Sequence, residues 1–327
     1  MRPGRRRRPG ALAGTLALLV AGCAAGAPAP VPPDAAPPPP VRTWVPDGPP
    51  AAVIVALHGF NDYGAAFAGF GAYAAKRGIA VRAYDQRGFG SNPDAGFWPG
   101  TEVLVGDLVE ALKAARAAHP AAPLFVLGES MGAAVTITTL AGSAGRRLVD
   151  GAILSAPAVW GGDQLNPLYR AVLWTANQVA PGYRLTGEGL DVRPTDNREV
   201  LIALGQDPLV IKATRVDAIA GLVDLMDRAV ASVPEVDGPL LILKGVHDEI
   251  VPPKSQEALV ARLTAEPCTV VTYTEGYHLL LRDLQREVVW RDILAWIDGV
   301  RDLPSGLAEP CGGATRSAAG DASRAGS

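Results

Sequence analysis

At 327 residues the chain can hold one large domain or one domain with an insertion, and a 48% apolar composition supports a sizeable core. Its 30 Lys and Arg nearly balance its 33 Asp and Glu, for a formal net charge of −3. The body carries no basic stripe, which excludes a nucleic-acid-binding protein, and its three cysteines and four histidines show no metal-ligand spacing.

The N-terminus reads as a targeting segment. Arg2 and Arg5 to Arg8 form a basic region, and Ala11 to Val20 is an apolar run too short to span a bilayer as a mature helix. Val20-Ala21-Gly22-Cys23 then resembles the lipobox of bacterial lipoproteins, where the cysteine is lipid-modified and becomes the first mature residue. The alternative is a cysteine incidental to the signal peptide. The resemblance implies a lipoprotein signal peptide over residues 1–22, lipidation at Cys23 and export to the cell envelope. Ala24 in place of Asp implies the outer membrane, on its periplasmic side. Removing residues 1–22 takes five arginines and no acids and leaves a net charge of −8. The remaining pair, Cys268 and Cys311, is expected to form a disulfide in such an oxidising compartment, tying the start of the last strand to the tail. Residues 23–40 are Pro- and Ala-rich and read as an extended tether reaching on the order of 50 Å.

From Val41 the pattern is strand, loop, helix, repeated. Val53 to Leu57 is a continuous apolar run of strand length, as in a parallel strand buried on both faces. A helix-like segment over Phe67 to Arg77 leads to a second strand, Ile79 to Tyr84. A longer helix over Glu102 to Ala118 carries Val103, Leu104, Leu108, Leu112 and Ala115 on one face, and Pro120 ends it. Strands at Leu124 to Leu127 and Gly151 to Leu154 follow, with a helix of small residues over Ala133 to Leu140 between them. Strands alternating with helices predict an α/β fold built on a mostly parallel, doubly wound sheet.

That rhythm breaks between Trp160 and Pro234. Three helical stretches (Leu168 to Val179, Glu199 to Leu204, Val216 to Ser232) follow one another with no strand between. Residues 160–234 are therefore expected to form a helical cap over the strand C-termini, where such sheets bind ligands. Strands resume at Leu240 to Leu243 and Cys268 to Tyr273, and a helix with Val288, Val289, Ile293, Trp296, Ile297 and Val300 closes the core. The core thus comprises residues 41–159 and 235–303. From Pro304 to the end the chain is small and polar and reads as a disordered tail.

The chemistry centres on Gly128-Glu129-Ser130-Met131-Gly132, between a buried strand and a helix. This is the context of a nucleophile elbow: the turn is so tight that the serine is strained and both glycines must lack a Cβ. The turn lifts the Ser130 hydroxyl to a helix N-terminus, which favours developing negative charge. The competing reading is a helix N-cap serine.

A base serving Ser130 must stand on a loop at the strand C-termini. His119 sits at a helix end before Pro120 and does not. The order nucleophile, acid, histidine picks His278 as base, and the acid must come from an earlier strand-end loop. Asp248 fits, with Glu249 second and Asp163 third, while His247 shapes the loop. His58-Gly59 after the first buried strand fits an oxyanion loop, with the Phe60 and Met131 backbone N–H groups as donors. The turn Tyr84 to Ser91 reads as structural, its charges pairing with each other rather than with substrate.

The ordered set of His58-Gly59-Phe60, Asp85 to Ser91, Gly128 to Gly132, Asp207 to Val210, Gly245 to Pro252 and Gly276-Tyr277-His278 resembles the monoacylglycerol lipase and lysophospholipase branch of the α/β-hydrolases, whose architecture also supports serine aminopeptidases. The resemblance covers residues 41–302. It implies the α/β-hydrolase fold, the triad Ser130, Asp248 and His278, oxyanion donors at Phe60 and Met131, and no cofactor. The family usually begins with a strand hairpin, for which only Val41 to Val45 is available, so a shortened sheet edge is expected.

The expected function is that of an exported serine hydrolase, held to the membrane by its lipid anchor, cleaving single-chain acyl lipids such as monoacylglycerols or lysophospholipids. Leu168, Tyr169, Val172, Leu173, Trp174 and Val179 either line an apolar entrance in the cap or pack it onto the core. A small-ester esterase, an aminopeptidase and a non-catalytic binding protein on the same fold are the alternatives. Nothing in the sequence marks an oligomeric state.

Overall fold

The computed structural model describes residues 37–160, 166–187, 189 and 192–311. The expected signal peptide, Cys23, most of the tether, Asp163 and the tail from residue 312 lie outside the described residues.

The chain opens with β1 (Val41–Trp44), β2 (Ala52–Leu57), α1 (Ala68–Ala75), β3 (Ile79–Tyr84) and α2 (Thr101–Ala118). It continues through β4 (Leu124–Glu129), α3 (Met131–Ala141), the short α4 (Ser143–Arg146) and β5 (Gly151–Ser155). The insertion brings α5 (Pro167–Val179), β6 (Arg184–Thr186), α6 (Arg198–Gln206) and β7 (Ala213–Arg215). Then come α7 (Val216–Ser232), β8 (Leu240–Gly245), α8 (Pro253–Arg262), β9 (Cys268–Tyr273), α9 (Arg286–Ile297) and β10 (Ala308–Pro310).

Eight strands make one sheet in the order β1-β3-β2-β4-β5-β8-β9-β10, parallel except at its two edges. The strand alternation sorts residues to two cores. Val53, Val55 and Leu57 of β2 face Leu104, Leu108 and Leu112 of α2 and the small residues of α3. Ala52, Ile54 and Ala56 face the other way, towards Phe67 and Phe70 and towards Val289 and Ile293 of α9. Burial on both faces is why these strands read as unbroken apolar runs.

Several expectations need correction. The insertion is not purely helical, since β6 and β7 pair antiparallel as a sheet of their own. Nor does it extend to Pro234. Leu225 and Ala229 of α7, with Val233 after it, lie in the core beside α3, so α7 is the crossover helix between β5 and β8. The helix α8 is an addition to the expected elements: it is polar, with Leu259 its single buried apolar residue, and so carries little apolar pattern. Val300 lies beyond the end of α9 and is exposed. The apolar residues of α5 are only partly used in packing: the helix lies on α7 with Leu173 half-buried, while Trp174 is 66% and Val179 80% exposed.

Residues 304–311 of the tail are ordered. Leu303 is buried, β10 adds antiparallel to β9, and Cys311 donates its N–H to the Cys268 carbonyl (3.0 Å). The two cysteines form the expected disulfide, and strand pairing supplies the order that the polar composition of the tail does not. A groove of about 1180 Å³, lined by Phe125, Trp296 and Cys311 among others, lies here at the strand N-termini. The loops described next lie at the opposite, C-terminal ends. At the other edge, among the described residues, β1 is a single short strand on β3.

Candidate active site

The elbow geometry follows from close packing. A Cβ on Gly128 would stand 2.5 Å from the Ala133 nitrogen, and one on Gly132 would stand 2.3 Å from the Leu57 carbonyl oxygen. Only glycine fits either place. Between them Ser130 takes φ +54°, a left-handed conformation costly for a residue with a side chain. The loop after β5 fixes it there: the Ser130 N–H donates to the Ser155 carbonyl (2.9 Å), and the Ser130 carbonyl accepts from Ala158 (3.1 Å). Ser130 occupies the N-cap position of α3, but its hydroxyl makes no capping bond. The capping alternative therefore fails. Met131 is the first residue of α3, where the helix offers its N–H no partner.

His278 and Asp248 come together from the loops after β9 and β8. Nδ1 of His278 lies 3.0 Å from Oδ2 and 3.1 Å from Oδ1 of Asp248, and both residues are buried. The carboxylate is itself held by the N–H groups of Ile250 and Val251 (both 2.9 Å) and by the amide of Gln256 on α8 (3.0 Å). Glu249 turns away and accepts the Arg193 N–H of the insertion (2.7 Å), so it does not compete for His278. His247 is exposed beside the Tyr277 ring, and its N–H braces the Gly276 carbonyl (2.8 Å), the loop-shaping role expected of it. His119 caps the C-terminus of α2, away from these loops.

The loop after β2 abuts the elbow, for a Cβ on Gly59 would sit 3.4 Å from that of Ser130. His58 is fully buried, and its Nε2 accepts the Gln86 N–H (2.9 Å). Nδ1 must then carry the proton, and it donates to the Gly59 carbonyl (2.8 Å). Burial pushes the imidazole pKa below its ordinary value, so the ring is neutral. The Gly59 carbonyl also accepts from Asp62 N–H (3.3 Å). In a trans peptide the N–H points opposite to the C=O, so these bonds direct the Phe60 N–H away from the His58 ring. The Phe60 side chain packs edge-on against Phe89 (5.6 Å between centroids).

Sequence reasoning missed a charged cluster beneath the elbow. Arg282, four residues after His278, reaches Glu129 on one side (2.8 Å) and Asp62 on the other (2.7 Å). One guanidinium thus joins β4, the loop after β2 and the loop after β9. Burial would lower the pKa of Arg282, but the two carboxylates outweigh it and raise it above its ordinary value. A loop arginine and the variable residue of the elbow motif carried no signal of this pairing, and Gln256 was hidden in the unrecognised α8. The Tyr84–Ser91 charges do have structural partners, but not each other: Asp85 pairs with Arg42, and Arg87 with Asp107.

The insertion grips the same loops. The Asn61 carbonyl accepts from Ile211 (2.9 Å) and its side-chain amide donates to the Thr214 hydroxyl (2.7 Å), while the Tyr63 hydroxyl donates to Asp207 (2.6 Å). On the histidine loop, Leu279 N–H donates to the Pro194 carbonyl and Leu284 N–H to Asp196 (both 2.9 Å).

The profile of the family described as serine aminopeptidase, S33, matches residues 48–285, from just before β2 to just past the histidine loop. The chain belongs to the serine aminopeptidase, S33, family. Among members and relatives, a monoacylglycerol lipase of Mycolicibacterium smegmatis is 28% identical over 78% of this chain and 90% of its own length. The human monoglyceride lipase is 26% identical over 82% of this chain and 89% of its own. The crystal structure of a Paleococcus ferrophilus monoacylglycerol lipase superposes with a TM-score of 0.69 at 21% identity, covering 80% of this chain and 99% of that one. This S33 chain accordingly has the α/β-hydrolase fold.

Proposed function

We propose that the protein is a serine hydrolase that cleaves carboxylic esters of single-chain acyl lipids through an acyl-enzyme. The observation that carries the reading is Ser130 held at φ +54° at the head of α3, its hydroxyl uncommitted to capping, beside loops that bring His278 and Asp248 together. In this reading the Ser130 hydroxyl attacks the ester carbonyl and passes its proton to Nε2 of His278. Asp248 accepts from Nδ1–H, which fixes the tautomer and stabilises the imidazolium. The oxyanion takes hydrogen bonds from the Phe60 and Met131 N–H groups. Collapse expels the alcohol, protonated by His278, and water then hydrolyses the acyl-enzyme by the same route.

The substrate class is supported by the relatives named monoacylglycerol and monoglyceride lipases, and by the exposed apolar residues of α5. An aminopeptidase would want a carboxylate free to hold the substrate amine. Glu129 in the elbow and Asp62 on the loop after β2 are instead paired with Arg282, so among the described residues these two do not serve that role.

The reading extends to location. Residues 1–22 would direct export, and lipidation at Cys23 would hold the enzyme to the periplasmic side of the outer membrane. Among the described residues no helix is long and apolar enough to cross a membrane, and the Cys268–Cys311 disulfide suits an oxidising compartment.

A fluorophosphonate probe tests the chemistry. It should label the wild-type protein at Ser130 and leave a folded Ser130→Ala variant unlabelled; equal labelling of both would sink the assignment. Cys23→Ser should release the protein from the membrane fraction, and unchanged fractionation would refute the anchor.

A further inference from the structure

The loop carrying the Phe60 N–H is pinned at two ends, by different parts of the molecule. At its start, His58 and Asp62 hold the Gly59 carbonyl, and His58 is anchored in turn by Gln86 at the end of β3. That end belongs to the sheet. The other end is Asn61, and both of its bonds described above come from the insertion, from Ile211 and Thr214.

Asn61 has φ +64°, and among the described residues only Ser130 and Ala156 share a positive φ without being glycine. Asn tolerates this region better than most side chains, but the conformation persists only where surroundings impose it. Here the surroundings are the segment from α6 to β7. That segment is itself braced, because Asp207 accepts the Leu209 N–H (2.9 Å) as well as the Tyr63 hydroxyl. The junction is closely packed: the void bounded by Asn61, Phe89, Ile211 and Thr214 is too small to admit a water.

We propose that Asn61 is a positioning residue through which the insertion sets the oxyanion hole, orienting the Phe60 N–H only while the segment from Asp207 to Thr214 is seated on it. The inference rests on the reading of Phe60 as an oxyanion donor. It makes the insertion part of the catalytic scaffold as well as a cover over the site. A donor must meet the oxyanion, which exists only in the transition state, so a loosened Asn61 impairs turnover and leaves ground-state binding alone.

The test uses the full chain and a short, soluble activated ester, whose binding asks little of the insertion. Asn61→Gly removes the amide while relieving the backbone conformation, and Thr214→Val removes its partner from the other side. Each should lower kcat roughly 10- to 100-fold with KM within about twofold. Each should weaken a boronic acid transition-state mimic by the same factor. The double variant should lose no more than either single one, since both delete one contact. Thr214→Ser, which keeps the hydroxyl, should restore the wild-type values.

An active wild type with unchanged kcat in both variants would overturn the inference alone. So would a rise in KM at constant kcat, additive losses in the double variant, or boronate affinity that stays constant as kcat falls. A wild type inert to every ester and to the fluorophosphonate would overturn the catalytic reading, and this inference with it.

Discussion

His278 meets Asp248 through Nδ1, at 3.0 and 3.1 Å from the two carboxylate oxygens, while Glu249 next door is committed to the Arg193 N–H. Two adjacent acids therefore have separate employment. Asp248→Asn should lower kcat by on the order of 10⁴ with the fold intact, by presenting the wrong group to the imidazole. Glu249→Gln should stay within a few-fold of wild type. Steady-state kinetics on one soluble ester checks both, and comparable damage from the two would return the choice of acid to open question.

The Arg282 cluster predicts an asymmetric stability response. Arg282→Met would leave Glu129 and Asp62 as buried carboxylates without a cation, and should cost about 3–5 kcal/mol. Adding Glu129→Gln to that variant should recover part of the loss, because it removes one of the stranded charges. Arg282→Lys should fall between, since one ammonium cannot reach both carboxylates with the planar geometry of a guanidinium. Urea denaturation of the four proteins measures this, and a neutral Arg282→Met would contradict it.

Asp283 supplies a pH signature. Burial raises its carboxyl pKa to about 6, against hydrogen bonds from Thr195 and the Tyr277 N–H that pull it down. Between roughly pH 4 and 6 the folded protein thus holds a proton that the unfolded chain has lost, so this group's contribution declines as pH rises through that window. Asp283→Asn cannot titrate. The stability difference should move in favour of the variant by up to about 3 kcal/mol from pH 4 to pH 7.5. A difference that does not vary with pH would show that Asp283 titrates normally.

The disulfide closes a separation of 43 residues, around the strand N-termini and away from the elbow. Loop entropy puts its contribution at about 4 kcal/mol at most. Replacing both Cys268 and Cys311 by Ser should lower the unfolding free energy by 2–4 kcal/mol or so, with kcat on a soluble ester nearly unchanged. A large loss of kcat in a folded variant would mean that the tail communicates with the site.

What the sequence made legible was what periodicity and local chemistry encode. Buried parallel strands are continuous apolar runs, so β2 to β5, β8 and β9 were readable, and the tight turn at Ser130 demands glycines on both sides. Sequence patterns do not reveal partners far along the chain. Arg282 with Glu129, Asn61 with Thr214 and Gln256 with Asp248 are polar side chains on loops, strand ends and the polar helix α8, and nothing local distinguishes them from solvated residues. The same limit explains α7, whose amphipathic pattern suits a cap or a core helix equally, and β10, whose residues carry no strand signal until β9 pairs with them.

The central claim, hydrolysis of single-chain acyl esters at Ser130, is tested most directly by kcat/KM across monoacylglycerols of increasing chain length. If the acyl chain is buried on binding, each methylene contributes about 0.8 kcal/mol, or roughly a fourfold gain in kcat/KM until the site is filled. The account predicts that steep rise in the wild-type protein, no activity in Ser130→Ala, and poor cleavage of triacylglycerols. A profile that is flat or peaks at the acetyl ester would contradict it and identify a small-ester esterase instead.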